Sequence, residues 1–230
     1  MHSSAHREGY LEKTHRPLNC LIFVLPLILA NLIGLMIYGD RLLVSHHIGR
    51  LFGFLGVRGF FIPAAVVVIS LLIWHLASGS RWEVDSVVLA GMVFESVIET
   101  LPLFAAHLLV SKFLGPLIGW TAESAPKVLS GIGAGVYEEF VFRLIGIGVV
   151  CFILFHILSV PKKIAIPITV IVVSVLFSLY HFIGAEHFNE YRFLFRILAG
   201  MYLAVVYLAR GFAVAVGTHA CYNAMVIVAW

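Results

Sequence analysis

The chain has 230 residues, 61% of them hydrophobic and only 12% charged, with a formal net charge of +3. A soluble domain carries about 25% charged residues, so this composition excludes an ordinary soluble protein and points to an integral membrane one. The cations are dispersed and form no basic block, which excludes the charge pattern of a nucleic-acid binder.

Residues 1–16 form a polar head carrying Arg7, Lys13 and Arg16, expected in the cytoplasm or on the membrane surface. Apolar runs then follow one another without the alternation that a membrane β-barrel requires, so the expected fold is all-α, a polytopic helix bundle. About 20 apolar residues cross a bilayer. By that measure spans are expected over about 17–38, 60–77, 87–110, 130–156, 164–182, 191–209 and 212–230, seven in all within a range of six to eight. The first run lacks a small-residue cleavage site and is too long for a signal sequence, so it reads as a retained span. The stretch 51–55, inside a connection bearing Asp40, Arg41, His46, His47, Arg50 and Arg58, is expected along the interface. Residues 115–127 and 184–190 read as loops. With the head inside, seven Lys and Arg fall on each side, so charge counting does not orient the bundle. The Lys162–Lys163 pair and the acidic 184–190 loop favour the head inside. The expected organisation is a head over 1–16, N-terminal spans over 17–128, and a catalytic core over 129–230.

Polar residues inside the apolar runs carry the functional signal. In Glu138-Glu139-Phe140-Val141-Phe142-Arg143, each charge costs roughly 2.5–3.5 kcal/mol at the membrane centre. Glu139 and Arg143 are four apart and stack on one helix face, so they are expected to pair. Glu138 points about 100° away and needs another explanation. Two further motifs supply candidates: Phe177-Ser178-Leu179-Tyr180-His181, and His219-Ala220-Cys221-Tyr222-Asn223. Measured at 1.5 Å per residue, Glu138, His219 and Asn223 lie about 10–15 Å into their spans, near mid-membrane.

Such a set supports hydrolysis by activated water. Glu138 with His181 can take a proton from water, while His219 and the Asn223 amide can stabilise an oxyanion. Zinc bound by His181, His219 and a carboxylate is the competing arrangement, although no HExxH motif is present. Glu95 and Glu99, one turn apart, can pair with Arg143 or another buried cation, share a proton, or mark an ion path. Cys20, Cys151 and Cys221 form no CxxC pair and read as small buried side chains. The glycines Gly131 and Gly135, and Gly200 with Ala204, have the spacing of close helix packing in lipid.

These three ordered motifs resemble the CPBP or Abi family of CAAX-processing and bacteriocin-processing intramembrane proteases, over about residues 130–228. The resemblance implies a glutamate-dependent endopeptidase in which Glu138 and His181 activate water and His219 and Asn223 form the oxyanion site. Glu139 and Arg143 would support them. It implies a membrane-associated protein or peptide substrate, no nucleic-acid partner, and no required cofactor, with a divalent metal such as zinc the alternative. Leu144 departs from the glycine that many members carry, which bears on local packing. The expected location is multi-pass, in the plasma membrane of a prokaryote. Two rival readings are a proton-coupled transporter using Glu95, Glu99 and Glu138, and a non-catalytic immunity or scaffold protein.

Overall fold

The computed structural model describes residues 9–38, 61–114, 124–183 and 187–229, and all regular structure among them is helical. A short α1 (Tyr10–Thr14) leads into α2 (Pro17–Tyr38), α3 (Phe61–Ser78) and α4 (Ser86–Leu114). The next rod starts as α5 (Ser124–Glu139) and widens into a π-helical stretch, Phe140–Ile147. It continues through α6 (Gly148–Phe152) and a second π turn, Ile153–Ile157. Then come α7 (Lys162–Tyr180), α8 (Glu190–Arg210) and α9 (Phe212–Ala229). The interfacial stretch 51–55, its flanking charges and most of the 115–127 loop lie outside the described residues.

Among the described residues six helices are long and apolar enough to cross a membrane, and α9 contributes a shorter apolar one, Phe212–Val228. The expected range of six to eight spans thus meets six of full length and one shorter helix. The fourth span, Ala125–Ile157, has 33 residues. At 1.5 Å per residue that is about 50 Å, well beyond the roughly 30 Å hydrocarbon core, so this rod must tilt or project from the bilayer. Its helix begins six residues earlier than hydropathy alone predicts, because proline at Pro126 is tolerated in a first helical turn, where N–H groups are unpaired anyway. Glu138 consequently lies about 20 Å from the helix start, deeper than the sequence estimate.

Local chemistry sets the helix ends. Asp85 accepts from the N–H groups of Val87 and Val88 and so caps α4. The Lys13 ammonium donates to the same carboxylate at 2.8 Å, which ties α1 to α4 and holds that carboxyl below the usual carboxylate range. Asn189 accepts from Arg192 N–H at 3.0 Å and caps α8. Gly211, at φ +93°, makes the one-residue reversal between α8 and α9, a conformation that a side chain disfavours.

The bundle is organised around the first half of α9. Phe212 to Ala220 is buried on all sides, against α5, α4, α8 and α2. Because lipid offers no hydrophobic drive between helices, contact depends on small residues and polar links. Gly135 meets the Ala220 backbone so closely that a Cβ there would sit 2.9 Å from the Ala220 nitrogen. Gly200 lies as tightly on Ser174 of α7, and Ala204 is fully buried. Thr100 donates to the Thr218 carbonyl at 3.1 Å, and Asn31 to the Leu129 carbonyl at 3.1 Å. Cys20 is buried, whereas Cys151 and Cys221 are only partly so; all three are free thiols.

Gly135→Ala is expected to destabilise the protein by about 1–3 kcal/mol through overpacking. Gly148→Ala, with open space around it, should instead stabilise by a few tenths to about 1 kcal/mol. Thermal unfolding of the two variants in one detergent distinguishes them, and equal shifts would contradict this packing.

Candidate active site

The two adjacent acids of α5 have different surroundings. Glu139 points into the bundle and is wholly buried, while Glu138 retains 13% side-chain exposure and faces His181 of α7 and His219 of α9, two residues that line a cavity. The roughly 100° turn between neighbouring helical residues produces this split. The π-helical stretch begins at the next residue, and such insertions are often found at functional sites. Leu144, the departure from glycine noted above, lies in that wider stretch and packs on the main core.

Behind the cavity sits a sealed charge cluster. Arg143 Nε is 3.0 Å from Glu139 Oε2, though off the hydrogen-bond direction, so charge attraction holds the pair. Arg143 Nη2 donates to the Gly200 carbonyl of α8 at 3.3 Å. The flat guanidinium lies 4.6 Å from the Phe177 ring centre. The other Glu139 oxygen, Oε1, is 2.8 Å from His219 Nδ1. A carboxylate accepts, so Nδ1 carries the proton, and in a neutral ring Nε2 is bare. That Nε2 lies 3.8 Å from Glu138 Oε2.

His181 stands on the opposite side of Glu138, at the C-terminal cap of α7. Its Nδ1 donates to the Phe177 carbonyl at 2.8 Å, one helical turn back, which leaves Nε2 directed at Glu138 Oε1, 3.7 Å away. Phe177 is buried and its ring is edge-on to both His181 and His219. The Phe-x-x-x-His spacing therefore does two jobs: its carbonyl sets the tautomer of His181, and its ring separates the imidazoles from Arg143.

Neither 3.7 nor 3.8 Å is a direct hydrogen bond. Glu138 presents Oε1 to His181 and Oε2 to His219, an arrangement in which one water molecule can donate to the carboxylate and to one imidazole nitrogen. Asn223, one turn beyond His219, lines the same cavity. Its Nδ2 donates to the Gly131 carbonyl at 2.9 Å, leaving the second amide hydrogen uncommitted in that bond. Among the described residues no group of three or more His, Cys, Asp and Glu side chains is arranged to hold a metal ion.

Glu95 and Glu99 belong elsewhere. Glu95 pairs with Arg210 of α8, whose Nε lies 3.2 Å away, and Glu99 accepts from Tyr202 at 2.5 Å. The suggested link to Arg143 is not formed, because Glu139 has taken that cation. The cavity itself, about 280 Å³, brings in residues that motif reading passed over. His107 of α4, Tyr222 of α9, and Phe195 and Arg196 of α8 all line it. Position 107 continues the four-residue stripe 95, 99, 103, 107, and that periodicity was the available signal.

A family model described as "Type II CAAX prenyl endopeptidase Rce1-like" matches residues 120–225. No curated protein and no solved structure gave a match.

Neutralising the two acids should have unequal consequences for folding. Glu139→Gln strands the buried Arg143 charge and is expected to cost about 3–5 kcal/mol. Glu138→Gln, at a partly exposed carboxylate with no Lys or Arg partner among the described residues, should change stability by less than about 1 kcal/mol. Denaturant titration in mixed micelles reads both, and a Glu139→Gln variant as stable as the parent would sink the sealed-pair description.

Proposed function

We propose, from the match of residues 120–225 to the Rce1-like model of type II CAAX prenyl endopeptidases, that this chain is a protease of that kind and hydrolyses a peptide bond by water activated at Glu138. The membrane in question is read as the plasma membrane of a prokaryote, and the substrate as a membrane-associated protein or peptide. The observation that carries the mechanism is the Glu138 carboxylate facing the Nε2 atoms of both His181 and His219.

A water molecule in that gap donates one hydrogen to Glu138 and the other to His181 Nε2, which its bond to Phe177 leaves ready to accept. Glu138 takes the proton as the water oxygen bonds to the scissile carbonyl carbon. The oxyanion is received by the free Asn223 N–H and by His219. Since Nδ1 of His219 is committed to Glu139, Nε2 can donate only when the ring is an imidazolium. Glu139 Oε1 accepts from Nδ1 of that ring, and Arg143 holds Glu139 in place. As the tetrahedral intermediate collapses, the C–N bond breaks and Glu138 returns its proton to the leaving amine. No step passes through a metal.

The transporter reading drew on Glu95, Glu99 and Glu138 as an intramembrane proton path. Glu95 and Glu99 join helices through Arg210 and Tyr202, so the protease reading has the better support.

In proteoliposomes, fluorescein-labelled peptides bearing a farnesyl or palmitoyl anchor should be cleaved by the parent protein and not by Glu138→Gln or His219→Ala. Asn223→Ala should lower kcat about 10²–10³-fold, the usual cost of one oxyanion donor. Cleavage should persist after treatment with a zinc chelator. Activity retained in both Glu138→Gln and His219→Ala defeats the assignment, and chelator-sensitive activity restored by zinc defeats the metal-free route.

A further inference from the structure

The cavity lined by His181 and His219 also carries a polar pair that the mechanism leaves unused. His107 Nδ1 and the Tyr222 hydroxyl are 2.9 Å apart, joining α4 to α9. His107 is only 5% exposed, yet its Nε2 has no hydrogen-bond partner among the described residues. A buried polar nitrogen left unpaired costs about 1–3 kcal/mol, so its retention on a cavity wall calls for a ligand. The ring is fixed on three sides, by Phe195 edge-on at 5.8 Å, by Tyr222, and by its own helix. The rest of the lining combines apolar Leu103, Ala199 and Val226 with Arg192 and Arg196. Tyr222 and Asn223 line this same cavity.

Resting on the protease reading, we infer that His107 is a substrate-binding residue that anchors the peptide main chain across the cavity. The Tyr222 hydroxyl donates to Nδ1, which fixes the tautomer with hydrogen on Nε2. That N–H donates to a substrate carbonyl next to the scissile bond, while the apolar part of the lining accepts an adjacent side chain. An extended peptide in a bilayer cavity has unpaired main-chain groups of its own, and burying them without partners is costly. His107 supplies one such partner. Its effect is thus on binding and register, with the bond-breaking step left to Glu138.

The test compares His107→Leu, His107→Gln and Tyr222→Phe with the parent on the anchored peptides above. Loss of one neutral hydrogen bond should raise KM about three- to tenfold, with kcat changed less than twofold, in His107→Leu. His107→Gln, which keeps a donor, should recover most of the affinity, and Tyr222→Phe should fall between. A second arm measures fluorescence anisotropy of the same peptides with each change in a Glu138→Gln background, where binding is read without turnover. Absence of cleavage by the parent protein defeats the protease reading, while weaker binding in His107→Leu still supports the anchor. Unchanged KM and unchanged binding in His107→Leu overturn the inference. Should His107→Leu unfold at a lower temperature than the parent, Tyr222→Phe decides: it retains the ring, and parental affinity in it also overturns the proposal.

Discussion

A guanidinium enclosed in a lipid-embedded bundle, with a single carboxylate at its side, is the constraint from which the surrounding architecture follows. Taking the Arg143 charge out of water is costly by several kcal/mol, and Glu139 repays this only if the remaining donors and the second carboxylate oxygen are also engaged. Three other helices answer part of that demand, although Arg143 Nη1 has no hydrogen-bond partner among the described residues. Gly200 of α8 offers a carbonyl, Phe177 of α7 its ring face, and His219 of α9 its Nδ1 hydrogen, all converging on the end of α5. The cluster is therefore a junction of helices as well as an electrostatic device. Moving any one of the four helices outward would expose charge to hydrocarbon.

The neighbouring acid inherits its freedom from the same arrangement. With Glu139 spent on Arg143 and His219, helical geometry turns Glu138 to a face where two imidazoles are already aimed. The aim of each ring is set from behind: the Phe177 carbonyl holds His181, and Glu139 holds His219. In the proposed mechanism, chemistry at Glu138 thus depends on groups that never touch it. This layering explains how one pair of adjacent glutamates can serve two purposes in one turn of helix.

Close backbone approach makes the convergence possible. The outward faces of the bundle are covered by Leu, Ile, Val and Phe side chains, which lipid solvates as readily as protein does. The inward faces instead carry glycine, alanine, serine and threonine where helices touch. Gly135 against Ala220 draws α5 and α9 together, and that proximity lets Asn223 reach the Gly131 carbonyl one turn away. The asparagine is then both a tie between helices and a wall of the cavity.

Much of this was legible in the residues alone. Hydropathy located the spans to within a few residues, since the bilayer enforces a minimum apolar length and permits few charges. The four-residue spacing of Glu139 and Arg143 implied their pairing, because that contact is local to one helix. The small-residue spacings marked where helices meet. Contacts between helices were another matter. Nothing in a one-dimensional pattern distinguishes Arg210 from Arg143 as the partner of Glu95, or reveals that His219 sends Nδ1 to Glu139 and Nε2 to Glu138. His107 shares a stripe with Glu95 and Glu99, yet its place beside Tyr222 depends on how α4 crosses α9. Within one helix, spacing along the chain dictates which side chains are neighbours; between helices that are separated by dozens of residues, only packing in three dimensions does.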